Sequence, residues 1–295
     1  MSIGYLPITE FKRLEKTMLK FSVIMSIYKS DVPEYVRIAL DSILNQTLLP
    51  NEIVIVGDGP VPAPLEQVIR DVQSSISSSN LPVEVNYLPQ EKNRGLGEAL
   101  RIAVENAKYD YLARMDSDDI CMPDRFEKQM RCFEEDPDLS IVGGMITEFV
   151  DSPDNVVDKR VLPLDDEGIK RFMRSRCGVN HVTVIFKKAD LLRSGNYRSD
   201  YRQEDYYLWA RMLKAGCKFR NIPDVVVNVR SGYDQFARRS GWSYYLDHCA
   251  IFRFMYREGL ISFPRLVYNY VVRGVVQFLM PNSLRTWVYQ NLLRK

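Results

Sequence analysis

Between residues 112 and 120 the chain reads LARMDSDDI, which places the carboxylates of Asp116, Asp118 and Asp119 directly after a short apolar run. Like charges this close repel one another, so a folded chain keeps them together only if positive charge offsets them or water screens them. Hard cations such as Mg²⁺ and Mn²⁺ are held by one or two carboxylates plus substrate phosphates. The plainer alternative is a solvated acidic turn, with Asp124 capping the helix of RFEKQMRCF. A calcium loop is excluded: counted from Asp116, the twelfth residue is Glu127, but the sixth, which must be glycine, is Cys121. A second acidic pair, Glu204 and Asp205 in RQEDYYLW, opens a strongly patterned helix. A helix N-terminus favours ionised carboxylates, and an ionised carboxylate is what a general base requires; N-capping is the competing use. The glycine loop NRGLGEAL (93–100) has Leu100 where a dinucleotide fingerprint needs its third glycine. It still opens a helix, so its backbone amides could face an anion, with Arg94 beside them.

Such residues act together only if the fold brings them to one place. FSVIMSIY (21–28), EIVIVGDG (52–59), VEVNYL and YDYLARM read as strands, separated by helical patterns after Pro33, over PLEQVIRDVQSSIS and over 95–107. Alternating β and α units with near-continuous apolar strands predict a mostly parallel sheet flanked by helices. In such sheets the ligand lies beyond the carboxyl ends of the strands. The loop Lys29–Asp31, the GDGP turn and DSDD all fall there, which predicts one composite site. Further on, LSIVGGMITEFV, VTVIF and VVVNVR (225–230) read as strands, and DYYLWARMLKAG as a helix ended by Gly216.

Composition bounds the rest. The chain has 295 residues and a net charge of +2, but residues 238–295 hold nine basic and two acidic side chains, leaving −5 for the residues before them. A mildly acidic body with a basic tail suggests an anionic surface as partner; nothing in the pattern points to nucleic acid. Five scattered cysteines with no CxxC argue against a disulfide scaffold or a cysteine zinc site and for a reducing, cytosolic setting. Two histidines, His181 and His248, exclude a histidine-rich metal cluster. No signal-peptide pattern and no membrane-spanning run of about 18 apolar residues is found. In 264–281 the polar residues Arg265, Asn269, Arg273 and Gln277 fall four apart on an otherwise apolar helix. Such a helix suits the membrane interface, or it docks on the catalytic domain or on a second subunit, as in a homo-oligomer; both readings stand.

In order along the chain, SVIMSIYKSD, EIVIVGDGP, NRGLGEALRIAVENAKYDYLARMDSDD, HVTVIFKK and YRQEDYYLWARM resemble the family 2 glycosyltransferases of the GT-A fold, over roughly residues 21–245. The branch they look most like builds bacterial capsular, exopolysaccharide or lipopolysaccharide chains. The resemblance implies a Rossmann-like catalytic domain over 21–237, an N-terminal extension over 1–20 and a basic helical C-terminal region over 238–295. It implies that Asp116 and Asp118 form the family's DxD, holding Mn²⁺ or Mg²⁺ on the donor diphosphate, with Asp118 the direct ligand and Asp119 in support. Asp58 matches a base-contacting aspartate, although Gly57 and Pro60 depart from that turn's usual DDGS. Ser26 and Tyr28 match the nucleoside pocket, and Asn93 and Arg94 the ribose and phosphate loop. Asp205 matches the catalytic base, with Glu204 as the alternative, and His181 an acceptor-side histidine or a satisfied core one.

Processive members carry QxxRW, whereas this chain has Gln235-Phe-Ala-Arg238-Arg239, so a non-processive enzyme is implied, with Arg238 and Arg239 either closing over the diphosphate or serving as membrane-facing charge. The expected reaction is inverting transfer of one sugar from a UDP-linked donor to a glycan or lipid-linked glycan acceptor, at the inner face of the plasma membrane. A nucleotidyltransferase would show a glycine-rich activation loop after the first strand, and SIYKSD has no glycine. A catalytically inactive donor-binding or scaffold subunit is the other alternative, and the retained Asp116, Asp118 and Asp205 argue against it.

Overall fold

The computed structural model describes residues 19–201, 203–231 and 241–279, with the side chains of Gln277 and Leu279 left aside. Residues 1–18, Gln235, Arg238, Arg239 and 280–295 therefore lie outside the described residues.

The first half alternates as the apolar periodicity requires: β1 (Phe21–Ile27), α1 (Pro33–Leu44), β2 (Glu52–Gly57), α2 (Ala63–Ser78), β3 (Glu84–Pro89), α3 (Leu96–Asn106) and β4 (Tyr111–Met115). These strands run parallel in the order β3-β2-β1-β4. Helices cover both faces, which is why β1 and β2 are apolar without alternation. Val23 and Met25 pack with α1, α2 and the later helix Arg125–Glu135 on one side; Ile24, Val54 and Val56 pack with α3 and the later helix Glu204–Lys214 on the other. The strand order reverses at β1, whose neighbours are β2 and β4. Met25 pairs with Met115 and Ile27 with Gly57, so the three loops that follow leave one edge together. That edge is the crevice where an open α/β sheet binds its ligand.

The second half is β5 (Ile120–Cys121), α4 (Arg125–Glu135), β6 (Ile141–Phe149), β7 (Val156–Arg160), α5 (Asp166–Met173), β8 (Ile185–Lys187), α6 (Lys188–Arg193), α7 (Glu204–Lys214) and β9 (Phe219–Arg230). It extends the sheet as β4-β8-β6-β9-β5, with β7 on β6. Here β8 is antiparallel to both β4 and β6, and only β6 and β9 run parallel. The sheet is thus mixed, with a parallel first half. Finally α8 (Trp242–Arg257) and α9 (Phe263–Gly274), prolonged by a π-helical stretch Val275–Leu279, pack on α7 through Tyr206, Tyr207, Ile251, Phe252, Met255 and Leu266. Among the described residues no helix is long and apolar enough to cross a membrane.

Three local expectations are corrected. VTVIF does not form one strand: His181–Thr183 is a 3₁₀ turn, and only Ile185–Lys187 pairs. Thr183 explains this, because its hydroxyl donates back to the Asn180 carbonyl (2.8 Å) and closes the turn. VVVNVR is the end of a twelve-residue strand whose pairing with β6 is interrupted by bulges near Gly143 and Met145. Asp124 sits at the start of α4, but its side chain makes no cap bond; Lys128 takes the carboxylate at 2.8 Å.

Gly143, at that bulge, is sterically obligatory. A Cβ there would lie 2.8 Å from Val179 Cγ1 and press on the Asn221 amide, which is itself fixed by donating to the Pro163 and Gly178 carbonyls. Gly143→Ala is expected to destabilise the fold by about 1–3 kcal/mol, read as a lower urea midpoint with an unchanged m-value.

Candidate functional site

The acidic loop is organised by a buried guanidinium. Arg114, the penultimate residue of β4, is 3% exposed and grips Asp116 with both terminal nitrogens, one bond measuring 2.7 Å. Its own main chain is held in turn: the fully buried Arg125 donates to the Arg114 carbonyl (2.7 Å) and reaches Gln129 and the Met115 and Cys121 sulfurs. Asp119 is buried and accepts from the Arg230 main-chain N–H (2.8 Å). Asp31, after β1, accepts from the Ser117 hydroxyl (2.9 Å) and the Tyr28 N–H (3.1 Å). Burial and the neighbouring Asp116 and Asp31 push the Asp118 carboxyl up to about 6. Burial, then Asp116 and Asp118, push Asp119 well above the ordinary range, and burial raises Asp31 as well. Four carboxylates thus crowd around Arg114, with the Arg230 guanidinium at the edge of the loop, donating to the Asp118 carbonyl (3.2 Å).

That charge imbalance is the fit test for a divalent cation, and the donors present pass it. They are hard oxygens, and burial first, then repulsion among neighbouring carboxylates, raises the carboxyls of Asp118, Asp119 and Asp31. Among the described residues no three metal-ligating side chains gather into a closed site. One or two carboxylates is the share a protein supplies when phosphate oxygens complete the shell.

The second group is a separate turn. Both Asp58 oxygens are occupied, by the Arg94 N–H (2.7 Å) and the Gly95 N–H (3.0 Å), and the Asn93 amide donates to the Asp58 carbonyl. The turn needs Gly59 at φ +86°, where a Cβ would meet the Asn93 nitrogen at 2.6 Å. The amides at the start of α3 that were expected to face an external anion therefore face Asp58. Ser26 is half-buried on β1, Tyr28 is exposed beyond it, and the Arg94 guanidinium lies largely in solvent, 3.7 Å from Glu98.

The third group starts α7. Gln203 occupies the cap position without a side-chain bond, so Glu204 and Asp205 follow as first-turn acids, not as caps. Burial, and next Asp205, push Glu204 up to about 7. Asp205 accepts from the Tyr206 N–H (2.7 Å), and its other oxygen lies 3.9 Å from Cys177 Sγ. His181 pairs with the Tyr197 hydroxyl (2.8 Å) and abuts Trp209. Burial and then Arg114 drive its pKa well below the usual value, so the ring is neutral.

Arg114, Asp116, Asp119, His181, Glu204 and Asp205 line a single cleft of about 650 Å³. The loops after β4 and before α7, some ninety residues apart, are thereby joined. Asp118, Ser26, Tyr28, Asp58, Asn93 and Arg94 do not line that cleft. Their link to it runs through the Asp31–Ser117 bond and the shared sheet edge. Arg238 and Arg239 lie outside the described residues. Sequence reasoning missed Arg114 and Arg230, and it placed Asp31 only as the end of a loop at the site. Arg114 stood in the quoted motif itself, and an arginine inside an apolar strand, two residues before the first of three acids, was the available signal.

Comparison with known proteins is consistent along the chain. The family model described as Glycosyl transferase family 2 matches residues 22–195. An uncharacterized glycosyltransferase of Haemophilus influenzae is 37% identical over 94% of this chain and 100% of its own length. The amylovoran biosynthesis glycosyltransferase AmsE of Erwinia amylovora is 34% identical over 92% of this chain and 98% of its own length. A UDP-Gal:alpha-D-GlcNAc-diphosphoundecaprenol beta-1,3-galactosyltransferase of Escherichia coli is 33% identical over 94% of this chain and 97% of its own length. Among solved structures, S. aureus TarS 1-349 in complex with UDP-GlcNAc superposes with a TM-score of 0.63 at 16% identity, covering 92% of this chain and 79% of that one. The shared fold is GT-A.

The raised Glu204 carboxyl has a measurable cost. From its ordinary 4.5 up to about 7 the folded chain keeps a proton that the unfolded chain releases, so folding weakens as pH rises across that window. Glu204→Gln removes this dependence. At pH 8 the variant is expected to be more stable than the wild type by on the order of 2 kcal/mol, with the difference vanishing near pH 4 in thermal melts.

Proposed function

We propose how this chain, which belongs to glycosyl transferase family 2, carries out sugar transfer: one sugar moves from a UDP-linked donor to a hydroxyl of a surface-glycan precursor, with inversion at the anomeric carbon. The glycosyltransferase activity on nucleotide sugars in polysaccharide biosynthesis follows from the family and its relatives; donor, stereochemistry and metal are our reading. The observation that carries it is the single cleft on which the acids after β4 and the acids opening α7 both face.

At the β4 end, Asp118 and Asp116 would hold Mn²⁺ or Mg²⁺, with Asp119 behind them; when bound, the ion neutralises the departing diphosphate. Arg114 keeps Asp116 pointed at that place. Ser26 on β1 and Tyr28 just beyond it, with the Asp58–Asn93–Arg94 turn, form the nucleoside side, and Asp58 acts by folding the turn. The named donors of the Escherichia coli relative and of the TarS complex, UDP-Gal and UDP-GlcNAc, favour uridine. At the α7 end Asp205 takes the proton of the acceptor hydroxyl as its oxygen attacks C1. The C1–O bond to the diphosphate breaks, and its electron pair leaves on the phosphate oxygen. A single displacement inverts the centre. Glu204, uncharged below about 7, leaves one negative charge beside the acceptor where two would repel. The neutral His181, held by Tyr197, borders the acceptor's path.

The acceptor is lipid-linked in the Escherichia coli relative, and α9 offers a matching surface. The helix is docked on the catalytic domain on one side: Asn269 is 3% exposed and donates to the Arg174 carbonyl (2.8 Å). Its other side exposes Phe263, Val267, Val271, Val275 and Phe278. We read this face as a peripheral contact with the inner leaflet.

Asp118→Asn is expected to abolish Mn²⁺-dependent UDP binding in calorimetry. Asp205→Asn is expected to keep that binding and lose on the order of 10²–10⁴ in kcat; retention at C1 by NMR would overturn the single-displacement scheme. Val271→Asp is expected to weaken binding to anionic vesicles by roughly tenfold, and unaltered vesicle affinity would remove the membrane reading.

A further inference from the structure

The cleft does not end at the acids. It continues past Cys177 to α9, where Arg176, Arg265, Asn269 and Arg273 line it. Arg265, Asn269 and Arg273, three members of the polar stripe legible in the sequence, thus line the cleft. Arg265 and Arg273 stand two helical turns apart with Asn269 between them, and the exposed Val267, Val271 and Val275 form the adjoining stripe. The arginines are positioned, not loose: Arg265 reaches the Ser175 hydroxyl (3.4 Å) and stacks on Tyr268, and Ser175 donates to Asn269 (3.0 Å). Arg176 lies over the Phe172 ring. Among the described residues Arg273 makes no ion pair. Burial, and then the proximity of Arg273, lower the pKa of Arg176. Two guanidinia lining one cleft repel when close, and an anion beside both relieves the repulsion.

We propose that this end of the cleft is the subsite for the diphosphate of an acceptor carried on an apolar chain: Arg176, Arg265 and Arg273 hold the diphosphate, and the Val267–Val271–Val275 stripe receives the chain. The proposal rests on the transferase reading above, which supplies the acceptor. It adds where the acceptor's charge sits and why. A diphosphate presents several anionic oxygens, and guanidinium forks match them with paired N–H donors. The acceptor sugar then spans the interval between these arginines and Asp205, past Cys177 and His181, which line the same cleft. The apolar chain leaves along the adjacent exposed stripe, so one ligand uses both halves of α9.

The test is calorimetry on the full chain saturated with UDP and Mn²⁺, so that the donor site is blocked, using inorganic pyrophosphate, decyl diphosphate and decyl maltoside as probes. Both diphosphates are expected to bind, decyl diphosphate more tightly, and the uncharged maltoside weakly. Arg273→Gln and Arg265→Gln are each expected to weaken the diphosphates by roughly tenfold or more while leaving UDP affinity unchanged. Diphosphates that fail to bind, or that bind both variants as they bind the wild type, overturn the subsite. So does a loss in the variants confined to phosphatidylglycerol vesicles, which would assign the arginines to membrane headgroups. Should the wild type bind no UDP, the donor reading falls by itself, and titration of pyrophosphate without nucleotide still decides the dependence on Arg273.

Discussion

A cluster of acids is stable only as far as something opposes its charge, and in this protein that opposition begins with Arg114. Its guanidinium is nearly inaccessible, and its fork takes both oxygens of Asp116. The arrangement is anchored from below by Arg125, a still more deeply buried guanidinium that bonds the Arg114 carbonyl and two sulfur atoms. Burying such groups is costly unless their donors are met. Much of the packing between β4, β5 and α4 serves to meet them. What remains is a shortfall: Arg114 and Arg230 stand among four acids, with Asp118, Asp119 and Asp31 all titrating above their ordinary range. The fold thereby carries a deficit of positive charge at the place where a cation and an anionic donor would meet.

The sheet decides who shares that place. The reversal of strand order at β1 gathers the loops after β1, β2 and β4 on one edge. The antiparallel insertion of β8 between β4 and β6 then carries the chain through the His181 turn, and α7 follows with Glu204 and Asp205 at its start. Two acidic pairs distant in sequence become the two walls of one cleft. In both, burial is the largest cause of the raised carboxyls; the β4 acids add repulsion from Asp116 and its neighbours, and Glu204 adds that of Asp205.

Much of this could be read from residue types. The apolar strands, the helix after Pro33 and the acid clusters follow from periodicity and composition, and a family resemblance assigns roles that periodicity alone leaves open. What escaped did so for physical reasons. Arg114 looked like a strand residue because only burial reveals that its charge is turned inward. Arg230 meets Asp119 across more than a hundred residues, a pairing no local pattern encodes. The amides of Arg94 and Gly95 looked free because their partner, Asp58, lies on another strand. VTVIF has strand composition, yet the Thr183 hydroxyl competes for the backbone and wins a turn. The stripe on α9 was visible as a stripe, but a helix's period cannot say which way the stripe faces.

The charges lining the cleft are unevenly placed: its carboxylates lie toward the sheet, with Arg114 and Arg160 among them, and Arg176, Arg265 and Arg273 gather at the end made by α9. A passage built this way has a polarity, like a battery laid along its length. An uncharged ligand could enter it in either direction at similar cost. A ligand anionic at one end alone is aligned by the field before any contact is made, because the reversed pose sets like charge against like. Orientation, and with it the choice of which end of a glycan meets the chemistry, is then settled by electrostatics at a distance, and close shape matching is left to discriminate among sugars.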